Sequence, residues 1–459
     1  MTTFREVASN RSSVLELTNG SRVAVIGGGP AGSFFSYFLL EIARRIDLEI
    51  QLDIYEYKDF SSIGPKGCNH CGGIISESLV QLLATEGINL PSFVVRRSLD
   101  SYVLHTDVGT VWIGTPDSEK KIAAVYRGGG PLRSLEGWES FDGHILELAR
   151  TKGANVIQSK VERLSIDDEG RPRVEARGLP AAVYDLVVGA VGINSATVEL
   201  FEALKIGYDI PKTTKTYICE IQLSEEIIKQ YIGSAVHVFL VSIPRLEFAA
   251  LIPKGTYATL CLMGEEIDKA TVKEFLNNLE VRSCFPPGWS PVDAACLCLP
   301  KINIGAVGNP FGDRFALIGD CGVTRLFKDG IGAAYRTAKA CAVTAIFSGI
   351  SAKDFQKHYL DVCKALAFDN QLGRIVFSVV TIARKLRFLR KGILRMVQKE
   401  QDGNGNSKEM STVLWDTFTG SASYRDIFTR ALRPSFLWHL TGATLESMLS
   451  PHYKGDVHD

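Results

Sequence analysis

The 459-residue chain carries 51 Lys plus Arg against 51 Asp plus Glu and is 46% hydrophobic, which suits two or three domains with a buried core and excludes global disorder. A net charge of zero lacks the positive field of a dedicated nucleic-acid binder, so no nucleic-acid partner is expected. Its 42 glycines follow no fixed period and its ten cysteines are too sparse for a disulfide scaffold; the cysteines read as reduced, small buried residues. The first 20 residues lack a signal-peptide core, and no uninterrupted apolar run reaches membrane-spanning length, so a cytoplasmic location is expected.

Residues 22–26, Arg-Val-Ala-Val-Ile, form a β-branched run that leads into Gly27-Gly28-Gly29-Pro30-Ala31-Gly32, after which residues 33–46 have helical apolar spacing. This order predicts strand, glycine turn and helix. Gly27 permits the turn, Gly29 lets backbone approach a pyrophosphate with Pro30 and Ala31 at the helix start, and Gly32 allows helix to pack on strand. A second strand, 49–55, ends at Glu56, where a carboxylate can accept hydrogen bonds from an adenosine ribose. The pattern predicts dinucleotide binding.

Residues 314–318 read as a strand ending in Gly319-Asp320-Cys321-Gly322, followed by Lys328-Asp329-Gly330-Ile331-Gly332 and a helix. An Asp at a strand's carboxyl end can bond a ribityl hydroxyl, and the following glycines can hold backbone donors against a flavin ring and a phosphate. The paired motifs resemble the FAD-binding fold shared by aromatic hydroxylases, flavin halogenases and geranylgeranyl reductases. That resemblance implies FAD as cofactor and an α/β architecture: a Rossmann-type FAD-binding domain with an inserted mixed β-sheet substrate domain and a helical carboxyl-terminal extension. The expected division is 1–95, 131–200 and 301–350 for the FAD-binding parts, 96–130 and 201–300 for the substrate-domain strands and sheet, and 351–459 for the helical region. Val191 stands where the family has an Asp, Val161 at the end of a strand over 156–161 falls where backbone holds the adenine, and no second GxGxxG provides a nicotinamide domain. The electron donor is therefore unassigned.

The loop 61–76 contains Cys68-Asn69-His70-Cys71-Gly72-Gly73 before a helix over 76–83. With Tyr126-Arg127-Gly128-Gly129-Gly130-Pro131 and Ser140-Phe141-Asp142-Gly143, it is similar to the geranylgeranyl reductase branch, whose members reduce prenyl double bonds. The resemblance brings Cys71, Gly72, Gly73 and Arg127 to the flavin. Trp138 replaces the branch's Arg before Phe141-Asp142, and Ala250 replaces the second aromatic of its aromatic-rich strand at 248–253. Three readings of Cys68 and Cys71 stand: metal ligands, a redox or substrate-side pair, or a tight loop selected for small volume. His70 is either a proton donor to reduced carbon or a hydrogen-bonded spacer. Cys68, His70 and Cys71 are the catalytic candidates, and no metal is expected.

Strands at 215–223, 235–242, 247–253 and 258–263 would cover the flavin with an apolar sheet. The expected reaction is reduction of carbon-carbon double bonds in a prenyl or other apolar, lipid-like substrate by hydride from flavin. A flavin monooxygenase or halogenase, and an FAD-binding electron-relay or docking protein, are the alternatives. Residues 374–399 hold eight Lys or Arg and no acid, with apolar Ile375, Val379, Ile382, Leu386, Leu389, Ile393 and Met396 at steps of three and four. The spacing predicts one amphipathic helix that either lies on an anionic membrane, giving a peripheral location, or packs its stripe on the body. After a flexible link at 401–407, the aromatic segment 412–449 is expected to fold back on the body or meet a partner or membrane.

Overall fold

The structure is a computed structural model that describes residues 13–67, 71–115, 121–131, 137–289, 294–305, 307–403 and 408–449. The β-branched run Ser21–Ile26 pairs in parallel with Ile50–Tyr55 on one side and Leu186–Gly189 on the other. Asn155–Ile157 and Phe315–Leu317 extend the sheet outward in parallel, and Phe311–Gly312 adds an antiparallel edge. Parallel strands must be buried on both faces, and the burial of Val23, Ala24, Val25 and Ile26 fits that demand. Helices Pro30–Arg45 and Gly330–Phe347 pack together on this sheet, with Phe34 and Phe38 set edge-on to Tyr335 at 5.8 and 5.5 Å.

A second, mixed sheet has seven strands in the order Ala294–Cys298, Tyr217–Gln222, Tyr257–Gly264, Leu246–Lys254, Ala235–Phe239, Ser101–Thr106 and Gly109–Gly114. All neighbours are antiparallel except Ala235–Phe239 with Ser101–Thr106. One apolar face includes Tyr102, Val236 and Val238; the other includes Phe239, Leu251 and Phe275 of the covering helix Lys269–Asn277.

Two expectations are corrected. The strand expected over 156–161 ends at Ile157, and Val161 instead opens Val161–Ile166, which hairpins with Pro172–Ala176. The single helix expected over 374–399 is two helices, Leu360–Lys385 and Arg387–Gln401, because Leu386 takes an extended conformation (φ −101°, ψ 102°). The break resets the helical phase. Before it, Leu366, Asp369, Gly373, Phe377 and Arg384 face the body while Ile375, Val379, Ile382 and Leu386 are exposed. After it, the apolar Leu394, Met396 and Val397 are buried.

The carboxyl-terminal helices fold back on the body. Trp415, on helix Glu409–Thr419, is fully buried, meets Tyr102 edge-on at 5.2 Å and donates its indole N–H to Glu77 Oε1 at 2.9 Å. Ser421 Oγ donates to the same oxygen at 2.6 Å. Among the described residues, no helix is long and apolar enough to cross a membrane. Trp415→Ala is expected to destabilise the fold by about 3–5 kcal/mol. Trp415→Phe, which keeps the ring but leaves Glu77 short of one donor, should cost about 1–3 kcal/mol. Urea denaturation midpoints check both.

Candidate functional site

The glycine turn forms because no side chain fits inside it. A Cβ on Gly32 would lie 1.9 Å from the Gly27 carbonyl oxygen, so helix Pro30–Arg45 can approach the strand this closely only with glycine there. Gly29 is the N-cap and no side chain caps the helix; its first-turn amides and the positive end of its dipole are open to an anion. Glu56 braces the turn from the next strand. Its Oε2 accepts the Gly28 N–H at 2.8 Å and its Oε1 accepts the Lys58 N–H at 2.8 Å. Burial raises the Glu56 pKa, and those two amides partly counter the rise.

A cavity of about 850 Å³ opens at this turn. Gly27, Gly29, Pro30, Ala31 and Glu56 line one end, with Val161 beside them. Gly319 and Asp320, in a tight turn after strand Phe315–Leu317, line it from two strands away in the sheet, followed by Gly330 and Ile331. Such crevices at the carboxyl ends of parallel strands are where α/β sheets bind ligands. Two expected contacts lie off the cavity wall. Gly32 is spent on helix packing, and the Gly332 N–H donates to Asp329 Oδ1 at 3.2 Å. Asp329 therefore caps helix Gly330–Phe347 with a charge of the chain's own, which leaves the uncapped first helix as the more open anion site.

Arg127 supplies a cation beside that helix start. Its Nε and Nη2 donate to Asp142 Oδ1 and Oδ2 at 3.0 and 2.9 Å, and a Cβ on Gly29 would lie 3.7 Å from Arg127 Nη2. Burial opposes the guanidinium charge, but the fully buried Asp142 carboxylate, together with Cys71 and Asp320, outweighs it, so the Arg127 pKa is raised and the charge is held.

Cys71, Gly72 and Gly73 also line the cavity. Gly73 has φ +68°, and a Cβ there would fall 2.0 Å from the Val125 carbonyl oxygen; the Cys-Gly-Gly sequence thus lets the loop press onto strand Ile122–Val125. Its N–H donates to Cys71 Sγ at 3.4 Å. Cys68 and His70 lie outside the described residues. Beyond the loop the wall turns apolar, with Ile218, Val236, Val238, Ile252 and Met263 from the seven-stranded sheet. Ala250 and Val191, the two positions that depart from the resembled patterns, both line the cavity.

Sequence reasoning missed the roof. Thr417, Phe418 and Thr419 close the cavity from helix Glu409–Thr419, and Lys328 fixes them there by donating to the Asp416 and Thr417 carbonyls at 2.7 and 2.9 Å. Burial pushes the Lys328 pKa well down, and Arg325 pushes the same way. The aromatic content of 412–449 implied a folded segment; nothing in its local pattern specified which surface it covers.

No protein-family profile matches the chain. It is 24% identical over 344 residues to a geranylgeranyl diphosphate reductase of Synechocystis sp., which covers 71% of this chain and 75% of that protein. The solved structure of a geranylgeranyl bacteriochlorophyll reductase-like protein from Thermoplasma acidophilum superimposes with a TM-score of 0.62 at 15% identity, covering 93% of this chain and 100% of the other. A halogenase solved in complex with FAD superimposes with a TM-score of 0.59 at 13% identity, over 95% and 93% of the two chains. The chain resembles a geranylgeranyl reductase in sequence and has the fold of these FAD-dependent oxidoreductases.

Proposed function

We propose that this protein is an FAD-dependent oxidoreductase that reduces carbon-carbon double bonds of a prenyl or other apolar, lipid-like substrate. One observation carries the reading: a single cavity runs from the glycine turn to an apolar wall, within the size range of small-molecule and cofactor pockets. The similarity to a geranylgeranyl diphosphate reductase supports the same choice. The residues present fit the cofactor. The uncapped amides of helix Pro30–Arg45 and the Arg127 guanidinium suit a pyrophosphate, Glu56 a ribose, Asp320 a ribityl chain, and the backbone at Val161 an adenine.

When bound and reduced, FAD supplies the hydride. This chain's part is to hold the alkene on Ile218, Val236 and Val238, to keep water away with Phe418, and to deliver the proton that completes the reduction. That proton is assigned to the loop that carries Cys68, His70 and Cys71. The electron donor that reloads the flavin is a separate, unidentified partner.

A second reading, a monooxygenase or halogenase, rests on the structural likeness to a halogenase. The same preparation separates the two. Anaerobically reduced protein mixed with a polyprenyl substrate should reoxidise and yield a product heavier by two hydrogens per bond. No reoxidation by any alkene, with a stabilised oxygenated flavin spectrum on admitting air, would favour the second reading. Arg127→Ala should weaken FAD binding about 10- to 100-fold, the loss of one charged contact to a buried anion, as read by flavin fluorescence titration.

Membrane contact is proposed for the outer face of helix Leu360–Lys385 and the break at Leu386 that follows it, rather than for the whole basic segment. Arg384 donates to the Leu246 and Glu247 carbonyls, Arg390 to the Arg384 carbonyl and to Asp107, and Arg395 and Lys399 to Glu446. Those cations are engaged within the chain, while Lys385 and Arg387 are exposed beside Ile382, Leu386 and Phe388. Each exposed cation near an anionic bilayer contributes about 1 kcal/mol. Val379→Asp with Ile382→Asp should lower co-sedimentation with phosphatidylserine vesicles by at least about tenfold and leave flavin content unchanged.

A further inference from the structure

Three side chains with metal-ligating chemistry meet on the face of the seven-stranded sheet turned away from the flavin cavity. Val236 and Val238 line the cavity, so the alternation of a strand turns His237 to the opposite face. Tyr102 lines it too, which turns His105, three residues on in the adjoining parallel strand, the same way. Cys284, just past the short helix Leu279–Arg282, closes over both rings. All three residues are buried.

The three ligand atoms lie close enough together for one ion to reach them all. His105 Nε2 is 2.8 Å from His237 Nδ1, and Cys284 Sγ lies 3.4 Å from His237 Nδ1 and 3.8 Å from His105 Nε2. A point equidistant from these atoms falls about 2.0 Å from each, within the range of zinc–nitrogen bonds and somewhat short of a zinc–sulfur bond of about 2.3 Å. The supporting contacts are also present. His237 Nε2–H donates to the Ile232 carbonyl at 2.9 Å, which leaves the Nδ1 lone pair aimed at the cluster. Thr110 Oγ1 is 3.3 Å from His105 Nδ1, and Phe239 stacks on the His105 ring at 4.7 Å.

We propose that His105, His237 and Cys284 form a buried site for Zn²⁺ or another thiolate-seeking ion such as Cu⁺, separate from the flavin cavity. Two imidazoles and a thiolate, with no carboxylate among them, select such ions over Mg²⁺ or Ca²⁺. On binding, His105 carries its proton on Nδ1, where Thr110 Oγ1 can accept it, and the Cys284 thiol loses its proton. One proton is released per ion. The ion would clamp two parallel strands of the substrate-side sheet to the segment that covers them.

Elemental analysis of the full-length protein is the test, after loading with Zn²⁺ or, anaerobically, Cu⁺ and passage over a chelating resin. One retained ion per chain is expected with at least one of the two, and Cys284→Ala and His237→Ala should bind it at least about 100-fold more weakly. Because either variant can fail to fold, Co²⁺ titration provides a second readout: a thiolate-to-cobalt charge-transfer band should appear in the unmutated protein and persist in Cys68→Ser/Cys71→Ser. A folded unmutated protein that retains neither ion, a missing band, a band lost with Cys68 and Cys71, or undiminished retention in folded Cys284→Ala each overturns the proposal.

Discussion

The guanidinium of Arg325, only 4% exposed, joins the cofactor-side helix to the carboxyl-terminal helices. It donates to Asp329 Oδ2 and to the Gly420 carbonyl, both at 2.8 Å, and to the Ala422 carbonyl at 2.7 Å, with Tyr424 beneath it. Burial works against its charge, but Asp329, with Tyr424 and Asp369, outweighs that penalty and the Arg325 pKa is raised. Asp329 is at the same time the N-cap of helix Gly330–Phe347. One carboxylate thus sets where that helix starts and holds the cation that anchors the roof. Phe327 and Asp329 both adopt left-handed backbone conformations, with φ of 62° and 52°; each costs about 1–2 kcal/mol, and the ion pair and cap offset that cost.

This coupling means that the floor and lid of the cavity are not independent parts. Lys328, between those two left-handed residues, ends on the carbonyls of the helix that carries Phe418. Four hydrogen bonds tie the lid to the segment that follows Asp320: Lys328 donates to the Asp416 and Thr417 carbonyls, and Arg325 to the Gly420 and Ala422 carbonyls. The lid is part of the site, as much as the glycine turn is.

What could be read from the sequence follows from how local each signal is. Gly27 and Gly29 have fixed spacing between a strand and a helix, and Gly319-Asp320 follows another strand, so their meeting in one crevice is a consequence of parallel-sheet topology. Glu56 was legible as an acid at a strand end, but its bracing of the Gly28 amide was not. Val161 was placed beside the cavity but in the wrong element, because the chain turns after Ile157 with no glycine or proline to mark it. Leu386 is likewise an ordinary helix former whose extended conformation reflects packing on either side. The cluster of His105, His237 and Cys284 was silent because 132 and 47 residues separate its members, and only strand pairing brings them together. The opening charge balance was also deceptive: eight cations between 374 and 399 look like one basic face, whereas five of them are directed to acceptors within the chain.

The position of the lid in the chain has a consequence for biogenesis. Gly27 leaves the ribosome 390 residues before Thr417, and at about 5–20 residues per second that interval is roughly 20–80 s. Once Ile331 has emerged, 86 residues before Thr417, the nascent chain can present a crevice with its nucleotide-facing end formed but its apolar wall uncovered. The exposed wall is a natural client for a chaperone, and a dinucleotide that entered early would stabilise the half-built protein by mass action before the last helices dock.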